Sequence, residues 1–469
     1  MDSSIVKRVL PWVVAIALFM EQLDSTIVNT AVPSMAAGLG VTPLSLRAVV
    51  ACYTLSLAVS IPISGWLADR FGTRQVFASA IALFTLSSLL CGVSLNLPML
   101  VAARVLQGVG AAMMMPVGRL TIIRTFPKAE LLQALNFVVI PALIGPLLGP
   151  TVGGLIVHWL TWRDIFFVNV PVGTVALFMI WRYLPDYRAQ TQPPFDLVGF
   201  VLFGSGMALL SWVMEIFGEH EFEPVTIGLM LLLALSLLLA YGRHARQRPF
   251  PLLRFDLFRL RTFGIAVGGG FVTRLGIGGL PFLMPLLYQL GLGLPAWESG
   301  LMMMPTAAAA MTMKAISVPI LQAFGFRRVL TVNTALIGVV ILMFAQVNAA
   351  TPLWIPILLS LALGFFNSLQ FSSMNSMAYA DIEPADSSMA STVASSLQQL
   401  SLSFGLATGS LITAWYLGGL PQSDQTAVIG ALHHAFITLG VLTILSSATF
   451  WGLRATDGQS VSHAVAGGD

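Results

Sequence analysis

Charge is what this sequence most lacks. Only 9 % of its 469 residues are Asp, Glu, Lys or Arg, whereas a soluble domain carries about 25 %. A chain with so few charges cannot cover a water-facing surface of its size. That excludes a soluble globular enzyme, a disordered chain and a cytosolic nucleic-acid binder. Cysteine is almost absent: Cys52 and Cys91 sit in apolar runs without metal spacing, so no disulfide framework is implied. The histidines His158, His220, His244, His433, His434 and His463 show no metal-ligand pattern either, and no metal or cofactor is expected. No Gly-x-x-x-x-Gly-Lys-Ser/Thr run occurs, which removes a P-loop ATP-driven pump. No selectivity-filter loop argues for a channel, and nothing in the chain has the local signature of an enzyme.

What the chain has in abundance is apolar length. Hydrophobic residues make up 57 % and the mean hydropathy is +0.86. A spanning helix needs about 20 mostly apolar residues. Cutting at charge and turn clusters gives fourteen such runs, near 11–33, 47–68, 75–93, 99–121, 131–157, 165–184, 197–217, 223–241, 263–290, 298–323, 329–347, 353–378, 389–416 and 431–454. The first contains Glu21 and Asp24 and has no small-residue cleavage site, so it reads as an uncleaved span rather than a signal peptide. With the N-terminus in the cytoplasm, seventeen of the 23 basic residues fall in cytoplasmic segments and only Arg47 and Arg163 in outer loops. That bias follows the positive-inside rule and places both termini inside.

The loop after the second run, Phe71-Gly72-Thr73-Arg74-Gln75-Val76-Phe77, is echoed after the tenth by Phe324-Gly325-Phe326-Arg327-Arg328-Val329-Leu330. Internal repeats of this kind mark secondary transporters. The pairing matches spans 1–6 to spans 9–14. The expected organisation is an N-terminal six-helix bundle over 1–196, two inserted helices and a cytoplasmic linker over 197–262, a C-terminal six-helix bundle over 263–454, and a cytoplasmic tail over 455–469.

Four motifs carry chemistry. Gly65-Trp66-Leu67-Ala68-Asp69-Arg70-Phe71-Gly72-Thr73-Arg74 combines a glycine for close helix approach, a turn glycine, and charges able to pair in one conformation and release in another. It resembles the signature loop of the major facilitator superfamily. Leu23-Asp24-Ser25-Thr26-Ile27-Val28-Asn29-Thr30-Ala31-Val32-Pro33 resembles the first-span motif of the fourteen-span drug:proton antiporters of that superfamily. A carboxylate at membrane depth is costly and marks a functional site. Asp24 is therefore a candidate proton carrier, or else half of a permanent ion pair. Glu21, three residues earlier, shares its helix face; it either joins the proton site or snorkels to the outer interface. Arg104-Val105-Leu106-Gln107-Gly108-Val109-Gly110-Ala111-Ala112 resembles the fourth-span Arg motif. A buried guanidinium keeps its proton, so Arg104 would tune a neighbouring carboxylate. Spans one and four are adjacent in this fold, so the resemblance implies an Arg104–Asp24 pair. Gly145-Pro146-Leu147-Leu148-Gly149-Pro150-Thr151-Val152-Gly153-Gly154 carries glycine every four residues, a flat stripe for helix contact broken by helix-weakening prolines. It resembles the exporters' motif and is the sequence's indication of direction. Trp162 to Pro171, with Asn169-Val170-Pro171 at its end, also resembles the fourteen-span group.

The resemblance implies a proton-coupled exporter of small molecules, of the multidrug type, in a bacterial inner membrane. It is expected to be monomeric and without a nucleic-acid partner; an outer-membrane or adaptor partner is left open. Candidate cavity residues are Asn29, Gln107, Arg274, Lys314, Asn367 and Gln370. The deep charges are Glu21, Asp24 and Glu215 against Arg104, Arg119, Arg274 and Lys314. The excess positive charge in the C-terminal half keeps a second substrate class open: organic anions or metal–organic-acid chelates such as citrate complexes. Alternatively, Arg274 and Lys314 bond to backbone or snorkel to an interface.

Overall fold

The computed structural model describes residues 3–188, 194–216, 223–383, 386–418, 420, 424–454 and 456–458. The described residues are helical with short connections, as a lipid-embedded chain requires, because a helix satisfies its backbone hydrogen bonds internally. We number the helices α1 Ser3–Leu39, α2 Arg47–Phe71, α3 Thr73–Gly92, α4 Leu97–Thr125 and α5 Lys128–Trp159. Then come α6 Asp164–Tyr183, α7 Leu197–Ile216, α8 Pro224–Gln247 and α9 Arg261–Gly291. The last five are α10 Ala296–Phe324, α11 Phe326–Phe344, α12 Trp354–Tyr379, α13 Ser387–Leu417 and α14 Gln425–Ser446.

Among the described residues, 11 helices are long and apolar enough to cross a membrane, or 12 with the bent α10. The other two of the fourteen runs are α1 and α5, helical over 37 and 32 residues. α1 is the more polar because its middle carries Glu21, Asp24, Asn29 and Thr30, all buried within the protein. The membrane setting is plainest at α8. It is built of leucine, yet only 11 % of its apolar window is buried by protein; lipid is the solvent that accepts such a surface.

The chain forms two compact units. The first comprises Met1–Ala208 with the short segments Gln247–Leu252 and Pro295–Gly300. Here α1 lies along α5, and α4 packs against both α2 and α3. Asn96 caps α4, its side chain accepting from the Met99 amide at 2.9 Å. The core of this unit is built around Val14, Phe77, Phe84, Met114 and Val117.

The second unit comprises Leu209–Arg246, Leu253–Leu294 and Leu301–Asp469. In it α14 packs on α11 and α13, and α9 on α13. Glycine and proline shape α9. It widens into π turns at Gly264–Gly268 and Leu287–Gly291 and breaks at Gly278 and Gly279, just before Pro281. A Cβ on Gly278 would stand 3.1 Å from the Gly405 Cα of α13, so bare backbone allows that approach. α10 bends by 62° between Lys314 and Ile316; Pro319 has no N–H for the Ala315 carbonyl, which weakens the ladder at that point.

The two repeat loops have matching backbones. Gly72 has φ 99° and ψ 143°, and Gly325 has φ 72° and ψ 157°, a region open essentially to glycine alone. Their surroundings differ. A Cβ on Gly72 would lie 2.1 Å from Asp186 Oδ1, whereas one on Gly325 meets nothing within 4 Å. Gly325→Ala is expected to cost about 1–3 kcal/mol of backbone strain. Gly72→Ala should cost about 1 kcal/mol more, because Asp186 must leave its bond to the Arg74 amide. Thermal unfolding of the two purified variants checks this; equal shifts would mean Asp186 yields without loss.

Candidate functional site

Five helices of the first unit converge on one carboxylate. Asp24 is 0 % exposed and so is Arg104. Arg104 Nη1 donates to Asp24 Oδ2 at 2.5 Å and to Gln107 Oε1 at 2.7 Å. Positions 104 and 107 are one turn apart on α4, so both side chains reach the same point. Gln107 Nε2 donates to Asp24 Oδ1 at 3.0 Å. From α6, Asn169 Nδ2 donates to the same oxygen at 2.8 Å. Ser88 of α3 accepts from Asn169 at 2.9 Å and from Gln107 at 3.2 Å, and donates to the Phe166 carbonyl at 2.9 Å. α2 supplies the Val49 carbonyl, 3.3 Å from Arg104 Nε, and the Tyr53 ring, 4.2 Å from the guanidinium carbon. The arrangement holds an ionised Asp24 with one cation and two amide donors. Charge-assisted bonds in a water-poor interior are strong, and a proton added to Asp24 would disrupt them.

Glu21 lies one turn before Asp24 and is 5 % exposed, buried within the protein. Its Oε2 has no hydrogen-bond partner, and neither do Tyr53 Oη and Arg104 Nη2. Unsatisfied buried polar atoms are few in native proteins; one of these three belongs to Arg104 itself, and the other two are on Glu21, one turn from Asp24, and on Tyr53, whose ring faces the guanidinium.

The glycine stripe of α5 packs on the same helix α1. A Cβ would lie 2.7 Å from Gln22 Cβ at Gly145, 2.0 Å from Thr26 Oγ1 at Gly149, and 2.5 Å from the Ile27 carbonyl oxygen at Gly153. Pro146 lies between the first two of these glycines, and the Pro150 carbonyl accepts from Thr30 Oγ1 at 3.1 Å. The stripe therefore lets the helix that carries Glu21 and Asp24 lie close against α5.

The signature loop forms a second polar cluster. Asp69 pairs with Arg124 of α4 at 2.7 Å. The Arg74 amide donates to Asp186 at 3.1 Å and its guanidinium to the Trp181 carbonyl. The Thr73 amide donates to the Tyr187 carbonyl at 3.0 Å, so the loop is tied to the chain leaving α6. Arg70 is exposed and lies over the Trp66 ring at 5.6 Å. Gly65 is exposed, and among the described residues nothing lies within 4 Å of a Cβ placed there.

The residues expected to line a substrate cavity are divided between the two units, Asn29 and Gln107 in the first and Arg274, Lys314, Asn367 and Gln370 in the second. Gln107 belongs to the Asp24 cluster. Asn29 is buried, with Oδ1 unpartnered. Gln370 is buried between α11 and α12, donating to Thr334 at 2.6 Å and accepting from Asn333 at 2.9 Å. Asn367 is half-buried. Arg274 is half-buried, its guanidinium 5.7 Å from the Phe371 ring. Lys314 and Arg119, counted among the deep charges, are exposed. Lys314 sits at the α10 bend, and one of the two cations that suggested anionic cargo is thus not buried. The Glu215 side chain and most of the 455–469 tail lie outside the described residues.

Asn169, Ser88 and Tyr53 were not anticipated. Asn169 lies in a motif that drew attention only as a resemblance; its signal was an amide at the start of an apolar run. Serines and tyrosines in spans are too common to stand out.

Long apolar helices with an acid–base pair buried among them define a polytopic membrane protein. Residues 14–406 match the model of the Major Facilitator Superfamily, and the chain belongs to that family. It is 42 % identical over 427 residues to the "Putative multidrug resistance protein MdtD" of Pectobacterium atrosepticum, covering 91 % of this chain and 90 % of that protein. The protein of the same description from Citrobacter koseri is 42 % identical, with 91 % and 89 % covered. Among solved structures, a POT family transporter in complex with 5-aminolevulinic acid has a TM-score of 0.70 at 14 % identity, covering 96 % of each chain. A D-xylose-proton symporter has a TM-score of 0.68 at 15 % identity, covering 96 % of this chain and 99 % of that one. Both show the shared fold.

Proposed function

We propose that this protein is a proton-coupled multidrug exporter of a bacterial inner membrane. In this reading the bundles 1–196 and 263–454 alternate access to a midplane site, both termini face the cytoplasm, and the protein works as a monomer. The observation that carries the reading is the fully buried Asp24–Arg104 pair beside unpartnered Glu21. A proton reaching Asp24 from outside cancels its charge and weakens its bonds to Arg104, Gln107 and Asn169. Arg104 is then left with Gln107, the Val49 carbonyl and the Tyr53 face. α1 is released from α4, and the freed α1 can shift along the glycine stripe of α5. Glu21 serves as the neighbouring proton acceptor. Asp69 and Arg124, with Arg70, Gly72 and Arg74, set the end position of the loop between α2 and α3. Each proton moving down 100 mV supplies about 2.3 kcal/mol, enough for uphill export. The relatives' description as multidrug resistance proteins supports the substrate class, and the α5 stripe, which resembles that of exporters, supports the direction.

The test is proton release from energised inside-out vesicles, read by a pH dye, on adding lipophilic cations, neutral drugs or organic anions. Drug-triggered release that disappears in Asp24→Asn supports the reading. No release with any compound, from folded wild-type protein, overturns proton coupling. Release with organic anions alone overturns the multidrug assignment.

A further inference from the structure

The two repeat loops share a backbone but not a charge balance. In the first, Asp69 meets Arg124, the Arg74 amide donates to Asp186, and the Arg74 guanidinium donates to the Trp181 carbonyl. In the second, Gln322 stands where the repeat places Asp69, Ala323 where it places Arg70, and the two arginines are adjacent, Arg327-Arg328. Both arginines are exposed, and among the described residues neither forms an ion pair. The adjoining carboxylate, Asp457, is taken by Arg261 at 2.5 Å and by the Arg454 amide at 2.7 Å.

These arginines edge an open cavity of about 480 Å³ lined by Phe324, Gly325, Arg327, Arg328, Thr331, Val332 and Trp451. Trp451 is 63 % exposed, as is usual for an aromatic at a membrane–water boundary. From Arg328 one face of α11 continues through Val332, Leu336, Val339 and Met343, all exposed, at the three- and four-residue spacing of a single helical stripe. Two unpaired guanidinium groups at the head of an apolar track match one kind of molecule: an amphiphile with an anionic head.

We propose that this cavity binds an anionic glycerophospholipid of the adjoining leaflet. Its phosphate lies between Arg327 and Arg328, and an acyl chain runs along α11. The guanidinium forks donate to the phosphate oxygens bidentately, and Trp451 and Phe324 flank the glycerol level. The lipid supplies the negative charge that Asp69 supplies in the first repeat. Such binding is independent of proton coupling.

Native mass spectrometry of the full-length protein, delipidated and then offered phosphatidylglycerol, phosphatidylcholine or inorganic phosphate, tests this. The wild type should retain phosphatidylglycerol in preference to phosphatidylcholine. Arg327→Gln/Arg328→Gln should weaken that binding about twenty-fivefold, at about fivefold per arginine. The charge-keeping Arg327→Lys/Arg328→Lys should hold most of it, which excludes misfolding as the cause of loss. Arg182→Gln/Arg243→Gln, removing two exposed arginines elsewhere, should leave it unchanged. Equal loss in that control, retention by the double glutamine variant, or phosphate binding as tight as the lipid's would each overturn the proposal.

Discussion

Arg104→Leu is expected to destabilise the protein by about 3–5 kcal/mol, because it leaves the Asp24 carboxylate buried without its cation. Gln107 and Asn169 would still donate to Asp24, but two amides do not offset a full charge in a dry interior. Asp24→Asn should cost a comparable amount from the other side, stranding a guanidinium that cannot shed its proton. The double variant Asp24→Asn/Arg104→Leu should regain much of the loss, since removing both partners leaves no uncompensated charge. Thermal unfolding can be followed with a thiol-reactive dye that reports exposure of Cys91, which is fully buried. If the double variant loses the sum of the two single effects, Asp24 and Arg104 are not energetically coupled. Transport should vanish in all three variants, and in the double variant without an accompanying collapse of stability. That separation distinguishes a working pair from a structural one.

The second large effect is steric. Gly153→Leu should destabilise by about 1–3 kcal/mol or more and abolish transport. Its Cβ would stand 2.5 Å from the Ile27 carbonyl oxygen and 2.6 Å from Thr30 Oγ1. A backbone oxygen cannot swing aside, so α1 must move away from α5 and take Asp24 out of reach of Arg104. Gly65→Leu provides the contrast. With nothing within 4 Å of its Cβ, it should change the unfolding temperature little, within about 0.5 kcal/mol. Loss of transport by stable Gly65→Leu would show that a helix closes on this glycine in another conformation. Normal transport would show that the signature motif does not need a small residue there. A fully active Gly153→Leu would remove the glycine stripe from the mechanism.

Much of this was legible along the chain because a membrane penalises charge so heavily. With so few ionisable residues, each one inside an apolar run stands out, and Asp24 and Arg104 were visible for that reason. Their pairing came from family resemblance, since spacing alone cannot bring residues 80 positions apart together. Asn169 and Ser88 were not visible. Uncharged polar groups cost far less in a helix interior, so their presence carries little signal until their partners are known.

The sequence by itself determined the environment, the helical architecture, the glycine turns at 72 and 325, and the presence of a costly acid and base at membrane depth. Those follow from composition and from conformations that only certain residues reach, so no neighbour is needed to read them. Tertiary structure alone decided which small residues touch, which cations are buried and which carboxylates are answered. Gly65 and Gly153 look alike in sequence, yet one faces open space and the other a carbonyl. Lys314 and Arg104 both lie within apolar runs, yet one is exposed at a bend and the other is sealed among five helices. Contact and burial depend on how helices are rotated and bent against one another, and that is set by the packing of the whole unit rather than by any one run of residues.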